Sequence, residues 1–553
     1  MRLDVVVAEL SPDRWTADFE RLKNGAEIDL LVVGGGVVGS GVALDAVTRG
    51  LNVVLVEARD FAAGTSGGSS KLIHGGLRYL KTADFKLVHE ALSERGLLLE
   101  LAPHLVRPLP FLYLLRRRFF ERAYVTLGVG IYDLMSRIGR TKHQLPRLRQ
   151  LSRRNTRELV PGLDADAFIG AVEYHDAQVD DSRFVLDLIR SAVSSGAIAL
   201  NNVMLTNIVR EGQTITRAQL KCTQSGELFE VRPRAIVLAT GVWSERTMAL
   251  FGGDEEVIIQ PSKGVHLVLG NEAIDSKRAL IVPTANSVLF VLPWDGHWIV
   301  GTTDTEWKFG IDDVTASSED IEYLLGQLNS ILVSPITLED IEGVFVGLRP
   351  LIAAAKKDTT KLSREHAIGH LAKNAIAISG GKFTTYRVMA KDAVDAVLEA
   401  FAGNAGASRT DQISLFGARG FQQLWDSRAS LTTRTGLPTE KIEQMLGRYG
   451  VAIEEVLDIL EKNPELGGPL QCAPSYLQAE IVHAVSHEGA RHIEDVLRRR
   501  CHIGIEEPDR GIAASLEVAP TMASLLRWTQ EEMHNEIEQY RRSVAHALLA
   551  ESR

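Results

Sequence analysis

Four consecutive apolar residues, Leu30, Leu31, Val32 and Val33, run straight into glycines and then into a helical pattern. An unbroken apolar run of this length predicts a strand buried on both faces, as in a parallel sheet. Residues 37–49 read as a helix that Gly50 ends, and residues 52–56 as a second buried strand. Phe85, Val88 and Leu92 lie on an amphipathic stripe within residues 81–105, predicting a helix that stops near Pro103. Short apolar runs broken by Gly212 and Gly226 predict a β-meander over residues 201–231, followed by a buried strand at 235–238. Residues 261–268, 288–293 and 298–301 alternate as the strands of an antiparallel sheet do, and residues 375–379 form a last strand before a glycine turn and a helix from Met389. Residues 402–408, rich in Ala and Gly, predict a linker. Beyond it the period changes: Ile442, Met445, Leu446 and Tyr449 share one helical face, and residues 520–549 predict one or two more amphipathic helices.

Composition narrows the class. The 553 residues are 45% hydrophobic and 24% charged, enough for two or three ordinary globular domains. A net charge of -10 argues against nucleic acid as the main partner. Cys222, Cys472 and Cys501 are far apart with no CxxC, which suggests neither a disulfide framework nor a cysteine metal site and fits a reducing cytoplasm. Residues 1–28 carry acids and lack a long apolar core, so they read as neither a secretory signal nor a span, and no other stretch reaches the roughly twenty apolar residues a spanning helix needs.

The turn after the first strand carries candidate chemistry. Gly34, Gly36 and Gly39 stand at GxGxxG spacing between strand and helix. The first permits a tight turn, the second a close approach of backbone to a pyrophosphate, and the third close packing of helix on strand. The helix then points its N-terminal amides at that anion. Glu57, ending the second strand, is placed to accept from the ribose hydroxyls of an adenine dinucleotide and disfavours a phosphorylated ribose. The continuation from Gly64 through Thr65, Ser66, Gly67, Gly68, Ser69, Ser70 and Lys71 to Leu72-Ile73-His74-Gly75-Gly76-Leu77-Arg78-Tyr79-Leu80 shifts the reading from NAD to FAD. Small residues there let amides and hydroxyls crowd a flat ring system and its phosphates.

This segment resembles the signature of the FAD-dependent, quinone-linked glycerol-3-phosphate dehydrogenase family, and the likeness covers most of the chain from Asp29 onward. It implies an α/β fold with a Rossmann-type FAD-binding domain, an antiparallel-sheet substrate domain and a C-terminal α-helical cap domain. The expected boundaries are an N-terminal extension at 1–28; an FAD-binding domain at 29–105, continued by 171–257 and 342–401; a substrate domain at 106–170 and 258–341; and the helical domain at 409–553. The resemblance implies that FAD is held by Gly34, Gly36, Gly39 and Glu57, by Thr65, Ser66, Ser70 and Lys71 of the Ser-rich loop, by Val203 near adenine and Gly241 where backbone passes the cofactor, and by Gly381, Lys382, Phe383 and Thr384, where a helix N-terminus would face the flavin.

The implied substrate is glycerol 3-phosphate. Arg349 and Arg364 match the family's phosphate-binding arginines, since planar guanidinium stays charged and binds phosphate bidentately. The family usually continues Arg-Asp-Tyr where this chain has Arg364-Glu365-His366. Arg78 and Tyr79 would orient the reacting oxygen and stabilise charge on it. His266, in Lys263-Gly264-Val265-His266, is the first candidate base and Lys382 its rival, a choice that depends on burial. The acids of residues 173–183 match a family motif and read as helix caps and turn bonds rather than catalysts. Hydride would leave carbon 2 for the flavin while a base takes the hydroxyl proton, giving dihydroxyacetone phosphate and electrons for a membrane quinone.

From Arg107 to Arg157, basic residues accumulate against only Glu121 and Asp133, interleaved with Phe111, Tyr113, Phe119, Phe120 and Tyr124. In an acidic chain this is a candidate for lying on an anionic membrane surface, where each Lys or Arg adds about 1 kcal/mol. A solvated basic face over buried aromatics competes with it. The family, respiratory and peripherally bound, favours the membrane, on its cytoplasmic face. Three alternatives stay open on sequence alone: an oxidase passing electrons to oxygen, an amine or amino-acid oxidase with a single arginine, and a non-enzymatic flavin-binding scaffold. A homodimeric state also stays open.

Overall fold

The computed structural model describes residues 8–77, 84–116, 119–138, 145–252, 258–284, 288–353, 366–398 and 406–553. A six-stranded sheet runs in the order His366–Ala372, Ala375–Gly380, Pro233–Leu238, Ile28–Val33, Val53–Val56, Ile198–Leu200. All pairs are parallel except the edge strand His366–Ala372. Alternate residues of Ile28–Val33 enter different cores. Leu30 and Val32 join residues of the helices Val37–Thr48, Asp181–Ser194 and Tyr386–Leu398, whereas Leu31 and Val33 join the meander Val203–Glu211, Thr214–Cys222 and Leu228–Val231. Covered on both faces, the strand is apolar from Leu30 to Val33.

The N-terminal segment belongs to this packing. The Ser11 side chain caps the helix Pro12–Lys23 by accepting from the Arg14 amide, and Phe19 meets the edge of Phe229 with ring centroids 4.9 Å apart.

The second sheet has its strands in the order Thr305–Glu306, Ile258–Gly270, His297–Gly301, Val288–Trp294, Ala279–Pro283, Val106–Leu115, Gly170–Val179, Leu72–Ile73. Ile341–Ala353 also pairs with Ile258–Gly270, and Arg149–Ser152 with Gly170–Val179. The boundaries expected at 171 and 342 therefore need correction. Both cuts fall at strands, Gly170–Val179 and Ile341–Ala353, whose hydrogen bonds lie in this sheet rather than in the parallel one. Nothing in a strand's own apolar pattern says which sheet its backbone will join.

Residues 406–553 are predominantly helical. Thr439–Tyr449 buries Ile442, Met445, Leu446 and Tyr449. Pro520 lies inside the helix Ile512–Leu526 rather than at the start of one; Val518, Ala519 and Met522 are buried in the cap core around it, so packing overrides the lost amide. The cap docks on the rest of the chain through buried ion pairs. Glu488 meets Arg183, Asp60 accepts from Arg499 and Arg500 at 2.6 Å each, and His502 Nε2 lies 2.7 Å from Asp180. The linker expected at 402–408 falls partly on residues 399–405, outside the described ones.

Candidate active site

A cavity of about 660 Å³ lies between the two sheets. Its floor is the glycine turn. Gly34 adopts φ +113°, and a Cβ there would lie 2.4 Å from the Ala239 carbonyl oxygen. At Gly39 a Cβ would lie 1.9 Å from the Gly34 carbonyl oxygen, so this residue serves helix packing and does not line the cavity. Gly36 lines it and caps the helix Val37–Thr48, whose first amide is taken by Ser66 Oγ at 2.9 Å. Glu57 folds back on the turn, accepting from the Gly35 amide at 2.7 Å and the Arg59 amide at 2.8 Å. Burial pushes its carboxyl up and those two donors pull it back. A carboxylate has about four acceptor positions, so Glu57 keeps capacity for ribose hydroxyls. A floor without Cβ atoms, a helix N-terminus and an acid with spare acceptors fit the adenosine and pyrophosphate half of FAD. Val203 and Gly241 line the same end.

The Ser-rich loop is bound mainly to the protein itself. Thr65 Oγ1 donates to the Leu348 carbonyl at 2.6 Å, and Ser70 Oγ shares a 2.9 Å hydrogen bond with His266 Nε2. Thr65, Ser66 and Ser70 line the cavity. Lys71 does not: its ammonium is buried 2.6 Å from Asp181, in a loop whose Ser69 hydroxyl also donates to Asp181 at 2.7 Å. The Lys71 ammonium, expected at the cofactor, is thus already met by a carboxylate. Gly68 and Gly347 stand back to back, a Cβ on Gly347 falling 2.1 Å from the Gly68 carbonyl oxygen, so loop and strand touch through backbone alone.

Opposite the loop, His266 and Arg349 project from the paired strands Ile258–Gly270 and Ile341–Ala353. The His266 ring stacks on Phe345, with centroids 4.6 Å apart. Burial, followed by the charges of Arg349 and Lys71, holds its pKa well below the ordinary range, so it is neutral at pH 7. Among the described residues its Nδ1 has no hydrogen-bond partner. The Arg349 guanidinium donates to Thr302 Oγ1 at 3.0 Å and the Thr303 carbonyl at 3.3 Å, and lies 3.3 Å from Asp304. A Cβ at Gly264 would sit 2.5 Å from it. Lys382, Phe383 and Thr384 line the cavity beside Gly381, which has φ +81°. Thr384 Oγ1 accepts from the His74 amide at 3.2 Å, joining the last glycine turn to the signature loop. Arg78, Tyr79 and Arg364 lie outside the described residues.

The structure adds a support that the sequence did not single out. Tyr132 OH accepts from the Gly75 amide at 2.7 Å and donates to Asp176 at 2.8 Å, and Asp176 also takes a 2.5 Å bond from Arg95. Asp176 and Tyr174 line the cavity; their i, i+2 spacing in the motif was the available signal. The acids that follow behave as expected: Asp180 accepts from the Arg183 amide at the N-cap of Asp181–Ser194.

The basic island divides. Phe111, Leu112, Leu114 and Leu115 of the strand Val106–Leu115 are buried core. The helix Phe119–Ile138 buries Val125, Val129 and Tyr132 and leaves Tyr124, Leu127 and Leu134 at 57%, 65% and 60% exposure. Among the described residues no helix is long and apolar enough to cross a membrane.

Fold and cavity together define an FAD-dependent oxidoreductase. Residues 29–396 match the family described as FAD dependent oxidoreductase, and residues 408–533 the C-terminal domain of alpha-glycerophosphate oxidase. The chain is 43% identical to the glycerol-3-phosphate dehydrogenase of Mycobacterium leprae, over 98% of this chain and 92% of that protein. It is 32% identical to the mitochondrial glycerol-3-phosphate dehydrogenase of Homo sapiens, over 98% of this chain and 76% of that one. Among solved structures it is similar to the glycerol-3-phosphate dehydrogenase of Bacillus halodurans complexed with FAD, with a TM-score of 0.80 at 25% identity over 98% of each chain. The chain belongs to the family of FAD-dependent glycerol-3-phosphate dehydrogenases, and its cofactor is FAD.

Proposed function

We propose that this chain oxidises glycerol 3-phosphate at its secondary alcohol to dihydroxyacetone phosphate, with the electrons passed on to a membrane quinone. The observation that carries this reading is the Arg349 guanidinium, set on the wall of the cavity that also holds His266 and Lys382. Its bonds to the Thr303 carbonyl and its partly exposed ion pair with Asp304 are all 3.3 Å long, so a phosphate dianion competes for those donors on favourable terms. Arg364 is the second arm of the clamp, and Arg78 and Tyr79 act on the reacting oxygen. Bound FAD supplies the acceptor for the hydride from carbon 2. His266, neutral and buried, takes the hydroxyl proton, with Lys382 as the rival base; the hydrogen bond shared between Ser70 Oγ and Nε2 fixes the ring. Gly34, Gly36, Glu57, Val203 and Gly241 hold the adenosine end, and Gly381 to Thr384 the flavin end.

The exposed apolar side chains Tyr124, Leu127 and Leu134 of Phe119–Ile138, in a segment of the chain rich in basic residues, support a peripheral seat on an anionic membrane at the cytoplasmic face. A second reading, transfer to oxygen with release of peroxide, is favoured by the description of the match at residues 408–533. Adding glycerol 3-phosphate to the purified holoenzyme without air should bleach the flavin absorbance, and a quinone should then restore it. Persistent colour with substrate would overturn the assignment of substrate. Recolouring by oxygen, with stoichiometric peroxide, and not by quinone would replace the acceptor.

A further inference from the structure

We propose that Asp312 is a clasp across the adenosine end of the cavity and that it slows the release of FAD. Asp312 lies on the segment between Thr305–Glu306 and the helix Ser318–Asn329, in the substrate half of the molecule. Its carboxylate accepts from three side chains of the nucleotide-binding half. Arg246 donates to both oxygens, at 2.8 and 3.2 Å, the Trp243 indole donates at 2.8 Å, and Arg59 donates at 3.0 Å. Arg59, Trp243 and Arg246 all line the cavity, and Arg59 also lies 4.9 Å over the Trp243 ring.

The connectivity makes these exposed pairs, with side chains 45–60% exposed, a bridge between the two halves. Arg59 follows the strand Val53–Val56, whereas Trp243 and Arg246 follow Pro233–Leu238, and these two strands flank Ile28–Val33 on opposite sides. Ligands of such sheets enter at the carboxyl ends of the strands. Asp312 joins the two banks of that crevice from above. Its segment is rooted on the second sheet: the Trp307 amide donates to the Pro261 carbonyl at 2.9 Å, and the Trp307 indole to the Gly310 carbonyl at 3.0 Å. The hydrogen bond from Arg246, set against partial burial, keeps the carboxyl below its ordinary range, so it stays ionised. Loss of the carboxylate removes the side-chain bonds of Asp312 to Arg59, Trp243 and Arg246 and leaves the 3.4 Å bond from Arg59 to the Asp312 backbone carbonyl. The inference rests on FAD as the cofactor and is independent of the substrate.

The test is the rate at which the holoenzyme loses FAD, read as flavin transferred to an excess of a scavenging apoflavoprotein, at low salt and at about 1 M NaCl. Asp312→Ala should release FAD about tenfold faster than the unaltered chain, and Asp312→Asn, which keeps an acceptor for the indole, should fall between. Asp313→Ala removes the same charge from the neighbouring position, whose carboxylate faces His546 instead, and should leave the rate unchanged. High salt should hasten release from the unaltered chain and leave Asp312→Ala unmoved. If Asp312→Ala fails to fold, Asp312→Asn carries the comparison. Equal rates for the Asp312 variants and the unaltered chain, or equal acceleration by Asp313→Ala, would overturn the clasp.

Discussion

The docking of the helical cap is set by charge pairs, and Glu488→Gln tests how much one of them contributes. Glu488 and Arg183 are each 1% exposed, and Glu488 accepts from both terminal nitrogens of the guanidinium, at 2.9 Å from Nη1. Arg183 also donates to the Arg448 carbonyl at 3.0 Å, so it cannot follow its partner into water. Burial raises the Glu488 carboxyl, but the Arg183 charge, with His483 at 3.7 Å, holds it down at about 2 instead of 4.5. At about 1.4 kcal/mol per unit this is about 3 kcal/mol, within the 3–5 kcal/mol expected when one partner of a buried pair is removed. A depressed acid stabilises fully above its unfolded value, so the contribution is present above pH 4.5 and is lost as pH falls toward 2. Hydrogen exchange at pH 7 over Asp181–Ser194 and the residues around 488 should accelerate about a hundredfold in Glu488→Gln. Glu158→Gln should change exchange by less than about fivefold, because its partner Arg154 is 88% exposed. An acceleration in Glu488→Gln as small as that of Glu158→Gln would refute the reasoning.

Three further outcomes follow from the site. Arg349→Ala removes charge-assisted donors worth about 1.5–3 kcal/mol each, so kcat/KM for glycerol 3-phosphate should fall at least about a hundredfold while the flavin absorbance of the purified protein persists; unchanged turnover would remove Arg349 from the clamp. His266 has a lowered pKa, hence its neutral, proton-accepting form persists above that value and is lost only as pH falls below 6.5. The acid limb of log kcat/KM against pH should therefore lie below 6.5, and a limb centred above it would assign the base elsewhere. Gly347→Ala places a Cβ 2.1 Å from the Gly68 carbonyl, whereas Gly162→Ala meets nothing within 4 Å. FAD content after purification should drop in the first and stay stoichiometric in the second; retained flavin in both would show that the loop can yield.

What the sequence made legible is what local chemistry dictates. Gly34, Gly36 and Gly39 were readable because a turn, an approach and a packing contact each forbid a Cβ at fixed spacing, and the structure shows the contacts at Gly34 and Gly39 directly. Strand and helix periods were readable for the same reason. Sheet membership was not, since the apolar positions of Gly170–Val179 and Ile341–Ala353 do not name the strands that each will pair with. Gly68 and Gly347 each look like an ordinary small residue, and only their apposition, 279 positions apart, explains both.

Lys71 shows where the limit lies. A lysine in a Ser-rich loop next to a phosphate cradle reads as a cofactor donor, because a sequence displays a charge and hides its counterion. Once the loop is buried, an ammonium without an anion would cost several kcal/mol, so some group has to neutralise it before FAD arrives. Asp181 does so at 2.6 Å, from a position 110 residues on, while its neighbour Asp180 caps the same helix and receives His502 of the cap. The adjacent acids in the motif thus serve two interfaces, one holding the flavin loop and one holding the helical domain. Neither lines the cavity, and so these two acids, which the sequence presents as caps and turn bonds rather than catalysts, shape the site by fixing what surrounds it.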